Sequence, residues 1–168
     1  GLLTSYTDGA VDMAKRLVDC GVDGLTIFAP MPVFMGSPLP ANIITEYHEA
    51  VAEAVEVPLI AFQYPISMVN YPKGTVTSFS RIERIVAMKE ASFDVAKTAD
   101  AIEEAAAAPR RIGIMTGSDT FILEAMLLGC DGALIGFAGA ATAELVRMQT
   151  LAAAGQATEA YEIWNRLG

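Results

Sequence analysis

Lys89 is the residue in this sequence whose type and position most favour covalent chemistry. It ends the apolar run Ile85-Val-Ala-Met-Lys89, which has the composition of a buried strand, and strand alternation places it in phase with Ala87 and Ile85. If that face lines the interior of a barrel, burial disfavours the ammonium form and lowers the pKa of the amine. A neutral lysine amine can form a Schiff base with a carbonyl compound. The alternative is a lysine at a strand end with its ammonium in water, which the residues alone favour.

Other residues that often carry chemistry lie in less promising places. The single histidine, His48, stands in Tyr47-His48-Glu49, where we predict a solvated helix face. One histidine also leaves little material for a histidine-rich metal site or a Ser-His-Asp arrangement. Glu103-Glu104 is likewise predicted to be solvated. Cys20 and Cys130 are each expected to be buried at a helix end, and two cysteines without a disulfide framework favour a reducing, cytoplasmic compartment.

The composition is that of a folded domain with an acidic surface. The chain has 168 residues, of which 53% are hydrophobic and 18% charged, and its mean hydropathy is +0.40, which excludes an intrinsically disordered chain. Its formal net charge of -9 argues against nucleic acid and anionic membranes as partners. The apolar stretch 121–146 contains Glu124 and Asp131, so we predict a helix, a turn and a strand there rather than a membrane span.

Apolar strands and amphipathic helices alternate along the chain. The predicted strands are 24–29, 59–64, 85–89, 111–115 and 132–137. Helices are predicted before, between and after them, the first at about 8–20 and the last two at 141–153 and 157–167. Short apolar strands separated by helices indicate an α/β fold with a parallel sheet that is covered on both faces. A doubly wound sheet and part of a (β/α)8 barrel both remain open, since a complete barrel needs roughly 250 residues. We expect a single domain over residues 1–168.

Several segments are similar to those of one known family. Val86-Ala-Met-Lys-Glu-Ala-Ser92 resembles the Schiff-base lysine segment of the dihydrodipicolinate synthase / N-acetylneuraminate lyase family, which comprises class I, Schiff-base-forming TIM-barrel lyases. Thr116-Gly-Ser-Asp119 resembles the small-residue turn before the family's next helix, and Leu128-Gly-Cys-Asp-Gly-Ala-Leu-Ile135 resembles its glycine-bounded strand. Ala29-Pro30 and Pro65 resemble its loops after the fourth and fifth barrel strands. The order and spacing stay in register over essentially the whole chain.

The resemblance implies a partial TIM (β/α)8 barrel. The chain would supply strands four to eight, that is, the C-terminal five βα units, together with the start of a C-terminal helical extension. Gly1 would lie at the exit of strand three, and the first three strands, with the Thr-Thr segment that holds the substrate carboxylate, would be missing. We therefore expect an incomplete barrel, which either a longer natural polypeptide or a partner would close.

The resemblance assigns the catalytic role to Lys89 and leaves the proton-handling role open. The family's catalytic tyrosine falls on Phe62, and phenylalanine cannot transfer a proton. Tyr64 is two residues further along the same strand face and is either a catalytic, proton-handling residue or a rim residue under the proline loop. The family's carboxylate-binding arginine falls near Ser67. These departures argue against strict dihydrodipicolinate synthase activity.

Gly117 and Leu134 match two further positions, whose main chain lines the family's pocket. A glycine permits close approach of the backbone to a ligand, although an ordinary turn between a strand and a helix is the alternative for Gly117. For Ser118 and Asp119 we predict an ordinary turn in which one or the other is the helix N-cap residue.

Taken with the resemblance, the sequence predicts a Schiff-base-forming lyase or aldolase that acts on a pyruvate-like 2-oxo acid. No metal or organic cofactor is needed for that chemistry. One alternative is a keto-deoxy sugar-acid dehydratase that uses the same lysine, and another is a non-catalytic relative that binds an oxo acid or serves as a scaffold. We expect a small-molecule substrate and a homo-oligomer.

Overall fold

A computed structural model describes residues 1–30, 40–63 and 71–167 of the chain. Helices and strands alternate through these ranges. The helices are α1 (Thr7–Asp19), α2 (Ala41–Ala54), α3 (Thr75–Phe79), α4 (Val95–Ala107), α5 (Ile122–Leu128), α6 (Ala138–Ala153) and α7 (Ala157–Leu167). The strands are β1 (Leu25–Phe28), β2 (Leu59–Gln63), β3 (Ile85–Glu90), β4 (Gly113–Thr116) and β5 (Gly132–Ala133).

The strands form one parallel sheet in the order of the sequence, β1-β2-β3-β4-β5. Leu2 adds an isolated parallel bridge to Ile27 beyond β1. Each pair of neighbouring strands is connected through helical segments, as parallel pairing requires. The predicted α/β class with a parallel sheet is therefore confirmed.

The alternation of side chains along β3 is interrupted near its start. Leu59 pairs with Ile85, but Ile60 pairs with Ala87, so Val86 is an extra residue in the ladder. Paired residues on parallel strands point to the same face, and Ile85 is consequently opposite to Lys89 instead of in phase with it. The predicted phase was wrong for Ile85, because a bulge shifts every following side chain by one position.

The hydrophobic core consists of two clusters on the helix-covered side of the sheet. The larger one includes the buried strand residues Leu25, Ile27, Leu59, Ile85 and Ile114, each of which contributes about 1.5–3 kcal/mol of burial free energy. The smaller cluster joins α5, α6 and α7. Together they hold the helices against one face and leave the opposite face of the sheet to carry the candidate site.

Several boundaries differ from the prediction. β5 has only two paired residues, because Ala133 pairs with Thr116, the last residue of β4, and the chain then turns towards α6. Cys130 is buried as predicted, but Cys20 is exposed, since it lies at the solvent side of the turn that Gly21 forms with a φ of 84°. Among the described residues, no helix is long and apolar enough to cross a bilayer.

Candidate active site

The strand register brings four side chains to the same face at the carboxyl ends of β1 to β4. Phe62 of β2 pairs with Lys89 of β3, and Lys89 pairs with Met115 of β4. Phe28 of β1 pairs with Phe62, and the centroids of these two rings are 4.5 Å apart. The face is therefore largely apolar, and Lys89 supplies its only amine among these paired residues.

The Lys89 amine lies against an aromatic ring. Its Nζ is 3.9 Å from the centroid of the Phe62 ring, within the range of a cation–π interaction. Burial lowers the pKa of Lys89 below its ordinary value, and the negative charge of Asp119 acts in the opposite direction. A half-buried amine with a lowered pKa presents more of the neutral, nucleophilic form at a given pH.

Gly117 leaves room for the lysine side chain at the exit of β4. A Cβ built at this position would lie 2.5 Å from Lys89 Cε and 2.5 Å from Ala91 Cβ, far inside the usual contact distance of about 3.5–4.0 Å. The amide of Gly117 donates to the carbonyl oxygen of Glu90 at 2.6 Å. The backbone of β4 thus approaches the lysine at a distance that only glycine permits.

Asp119 connects the turn after β4 to the start of α6. Its Oδ1 accepts from the amide of Phe137 at 2.9 Å and its Oδ2 from the amide of Gly136 at 3.4 Å. Phe137 is the N-cap residue of α6, so Asp119 caps this helix across the turn. The prediction that Ser118 or Asp119 caps the helix directly following them was wrong, because the N-cap residue of α5 is Phe121, which forms no side-chain cap bond.

Leu134 lies beside this turn, with its amide already bonded to Thr116 and its side chain partly exposed. Ser118 is buried, and its hydroxyl pairs with that of Thr120 at 2.9 Å. Tyr64 and Pro65 lie outside the described residues. The structure therefore brings Lys89, Phe62, Gly117 and Asp119 together, and Tyr64 stays a prediction.

A buried carboxylate lies directly behind the lysine, and sequence reasoning missed it. Glu90 is 1% exposed and accepts hydrogen bonds from Gln63 Nε2 at 2.8 Å, from the Ser92 amide at 2.9 Å and from Thr98 Oγ1 at 2.6 Å. An acidic residue immediately after the lysine, within a strand covered by helices, was the signal that could have indicated it. Buried carboxylates are rare unless hydrogen bonds or charges compensate them.

His48 is buried, which corrects the predicted solvated face. Its ring is fully enclosed, its Nδ1 donates to the Ile44 carbonyl oxygen at 2.8 Å, and the Tyr71 hydroxyl is 3.4 Å from its Nε2. Burial lowers the pKa of His48 to about 4. Glu104 is also only partly exposed, because it accepts from the amides of Gly74 and Thr77 at the start of α3.

The cysteines and acidic residues do not form a second reactive centre in the described ranges. Burial raises the pKa of the Cys130 thiol to about 12, so it stays protonated at neutral pH and is a poor nucleophile. No group of three or more histidine, cysteine or acidic side chains in residues 1–30, 40–63 and 71–167 is arranged to hold a metal ion.

Solved structures with the same fold extend well beyond the length of this chain. A dihydrodipicolinate synthase from Acinetobacter baumannii, crystallised with pyruvate, superimposes with a TM-score of 0.84 at 26% identity, over 98% of this chain and 55% of the other. These neighbours are TIM barrels, so the parallel sheet with its helices is a partial TIM barrel, as the sequence predicted.

Sequence comparison assigns the family. Residues 4–168 match the Dihydrodipicolinate synthetase family, and the chain belongs to that family. A 4-hydroxy-tetrahydrodipicolinate synthase from Chlorobium phaeovibrioides is 32% identical over 97% of this chain and 53% of its own length. The enzyme of the same name from Methanosarcina barkeri is 27% identical over 97% of this chain and 54% of its own length. The chain spans about half the length of these curated relatives.

Proposed function

We propose that the protein is a Schiff-base-forming lyase or aldolase that acts on a pyruvate-like 2-oxo acid through Lys89. The observation that carries the proposal is the half-buried Lys89 amine, which lies in the space that Gly117 leaves open and whose pKa is lowered by burial. Family membership and the pyruvate bound by the Acinetobacter relative support a 2-oxo acid as the substrate class.

The proposed reaction begins with the neutral amine. The Nζ lone pair attacks the keto carbon, the carbonyl oxygen takes up a proton, and loss of water leaves a positively charged iminium on Lys89. Either a proton leaves the adjacent carbon or its bond to the next carbon breaks, and the electron pair moves into the iminium to form a neutral enamine. Protonation of the enamine, or its addition to an aldehyde, regenerates the iminium, and water then releases the product and the free lysine.

Gly117 and Leu134 would supply main chain to the pocket in this reaction. The clearance at Gly117 supports its role, because a substrate attached to Lys89 must share that space. Because Phe62 stands at the family's tyrosine position and has no hydroxyl, proton transfer would fall to Tyr64 or to a tyrosine from the missing strands or a neighbouring subunit. A sugar-acid dehydratase that uses the same lysine shares every step up to the enamine.

A non-catalytic oxo-acid-binding relative is the second candidate, and the apolar ring of Phe62 favours it. The ring stabilises the ammonium form of Lys89 by about 0.5–2 kcal/mol and carries no proton. In that case the site would bind an oxo acid reversibly without forming a covalent bond.

Borohydride trapping separates these candidates. Reduction of the iminium formed with pyruvate should leave a stable adduct on the Lys89 peptide, detected by mass spectrometry, and Lys89→Met should abolish it. Lys97, on α4, serves as the internal control because it should acquire no adduct. If no 2-oxo acid gives an adduct on Lys89 while pyruvate still binds by calorimetry, the non-catalytic candidate is correct.

We further propose that residues 1–168 form a single domain comprising barrel strands four to eight, and that three more strands complete the barrel. The parallel bridge between Leu2 and Ile27 extends the sheet on one side. On the other side, an apolar groove of 290 Å³ lies beside β5 and includes Ala133, Leu145 and Gln149. The buried Oε1 of Gln149 has no hydrogen-bond partner among the described residues, which supports a missing donor at this edge.

Co-expression tests this arrangement. The N-terminal half of the Chlorobium phaeovibrioides relative, supplied as a separate chain, should co-purify with residues 1–168 and increase the rate of adduct formation. Independent folding of the 168-residue chain into a monomer with full trapping activity would contradict it. The expected homo-oligomer is measured in the same size-exclusion run, and the free thiols of Cys20 and Cys130 support a reducing, cytoplasmic location.

A further inference from the structure

We propose that Gln63 and Glu90 are positioning residues, whose hydrogen bond on the helix-covered side of the sheet fixes the strand register that holds the Lys89 amine over the Phe62 ring. The proposal rests on the proposed function for its chemical meaning. Neither side chain is assigned a contact with substrate.

The Lys89–Phe62 contact and the Gln63–Glu90 hydrogen bond lie on opposite faces of the sheet, at neighbouring positions of the same two strands. Phe62 pairs with Lys89, and the next pair along the same two strands is Gln63 with Glu90. Because successive side chains point to opposite faces, the Lys89 Nζ lies 3.9 Å from the Phe62 centroid on one side and Gln63 Nε2 lies 2.8 Å from Glu90 Oε1 on the other.

A side-chain contact such as the Gln63–Glu90 hydrogen bond is needed to fix the register, because the ladder between β2 and β3 is irregular. The extra residue Val86 leaves only four regular pairs beyond the bulge, from Ile60–Ala87 to Gln63–Glu90. A slip of one residue turns every side chain to the other face. It would put the carboxylate of Glu90 into the site and the ammonium of Lys89 among the buried helix-facing side chains.

Glu90 finds its hydrogen bonds only on the helix-covered side. Its donors there are Gln63, the Ser92 amide and the hydroxyl of Thr98 on α4, and bonds to a charged acceptor are stronger than neutral ones. Glu90 forms no ion pair, since the salt bridge among the described residues joins Arg111 to Asp131. The three donors therefore compensate the buried charge, and a slipped register would separate Glu90 from Gln63 and turn it away from Thr98.

Gln63 is engaged at both ends of its amide. Its Oε1 accepts from the Tyr71 amide at 3.1 Å while its Nε2 donates to Glu90. Its carbonyl oxygen also accepts from the Ala91 amide at 3.2 Å. Gln63 is 5% exposed, and loss of its side chain leaves Glu90 short of a donor, which only water in the neighbouring cavity of about 190 Å³ could replace.

Three variants separate positioning from stability. Gln63→Leu keeps the approximate volume and removes the donor. Glu90→Gln keeps an acceptor for Gln63 and is the conservative variant. The double variant Gln63→Leu/Glu90→Leu replaces the polar pair by an apolar one, which often preserves stability, but it removes the register-specific bond.

Two readouts are measured on each variant of the full chain. The first is the pH profile of acetic anhydride labelling at Lys89, read on its peptide by mass spectrometry, which needs no substrate. The second is the rate of borohydride trapping with pyruvate. Asp119, the charged group that acts on Lys89, is present in every variant.

We expect Gln63→Leu to shift the labelling profile of Lys89 to higher pH and to slow trapping by about 10- to 100-fold, the scale of a misplacement of about 1 Å. Glu90→Gln should remain within about threefold of the original rate. The double variant should melt close to the original temperature while its Lys89 readouts stay displaced. Met148→Ala, in the other core cluster, should lower the melting temperature without moving the labelling profile.

The proposal is overturned if the double variant keeps the original pH profile of Lys89 labelling. It is also overturned if Gln63→Leu lowers the stability of the protein but changes neither the labelling profile nor the trapping rate of Lys89. If Gln63→Leu does not fold, Thr98→Val removes a single donor to Glu90 and should shift the same profile in the same direction. The proposed function has its own test. It is contradicted if the unaltered protein gives no adduct even with the co-expressed N-terminal half, whereas displacement of the labelling profile by Gln63→Leu would still support positioning.

Discussion

Replacement of Gly117 by alanine tests the geometry of the candidate site directly. The added Cβ would lie 2.5 Å from both Lys89 Cε and Ala91 Cβ and 3.1 Å from the Glu90 carbonyl oxygen. To restore an ordinary carbon–carbon distance, the added Cβ and these neighbouring atoms must move apart by about 1 Å. The Lys89 side chain can rotate away, but Ala91 Cβ moves only with the backbone, which is bonded to Gln63 of β2.

This overlap predicts two effects of Gly117→Ala. Forced overpacking should cost about 1–3 kcal/mol in the free energy of unfolding, which corresponds to a decrease of about 3–10 °C in melting temperature for a domain of this size. The displaced lysine should also lose its position over Phe62, so borohydride trapping with pyruvate should slow by about 100-fold.

Gly139 provides the matched control, because a Cβ at that position meets no atom within 4 Å. Gly139→Ala lies in α6 and should be neutral or stabilising by up to about 1 kcal/mol, with unchanged trapping. Both variants are compared by thermal unfolding and by mass spectrometry of the Lys89 peptide. If Gly117→Ala behaves as Gly139→Ala does in both assays, the close approach of the two chain segments is refuted.

Three other perturbations follow from the charges in the structure. Asp119→Asn should lower the pKa of Lys89 further, because the carboxylate raises it; an unchanged pH profile of amine labelling would contradict this. Arg110 donates to three backbone carbonyl oxygens, so Arg110→Ala should lower the free energy of chemical unfolding by about 2–3 kcal/mol. Arg111→Ala removes only an exposed ion pair and should lower it by about 0–1 kcal/mol. Equal losses in the two would count against that reasoning. Neutral His48 should contribute its full stability above its unfolded pKa near 6.5, and this contribution should decrease by about 3 kcal/mol as the pH falls to its folded pKa of about 4. Urea titrations should therefore give a steeper dependence of the free energy of unfolding on pH for the protein than for His48→Gln. Parallel dependences in the two proteins would exclude His48 as the cause.

Burial of single residues was predicted less well than the elements that contain them. The charged neighbours Glu46 and Glu49 suggested a solvated position for His48, yet the ring lies against Phe79 with centroids 4.6 Å apart. Phe79 belongs to α3 and is 31 residues further along the chain than His48. Contacts of this kind depend on how distant segments pack, and local sequence patterns do not contain that information.

The amino-acid sequence by itself determined the alternation of strands and helices, because hydrophobic periodicity and glycine turns act over a few neighbouring residues. The segment around Lys89, together with several others in register along the chain, also indicated the family that the comparison then assigned. The resemblance had already placed Phe62 and Gly117 at the site, but the tertiary structure decided how closely they approach the amine and revealed Glu90 behind it. The ring of Phe62, the clearance at Gly117 and the buried Glu90 depend on strand register, and one extra residue in β3 is enough to exchange the faces of the sheet.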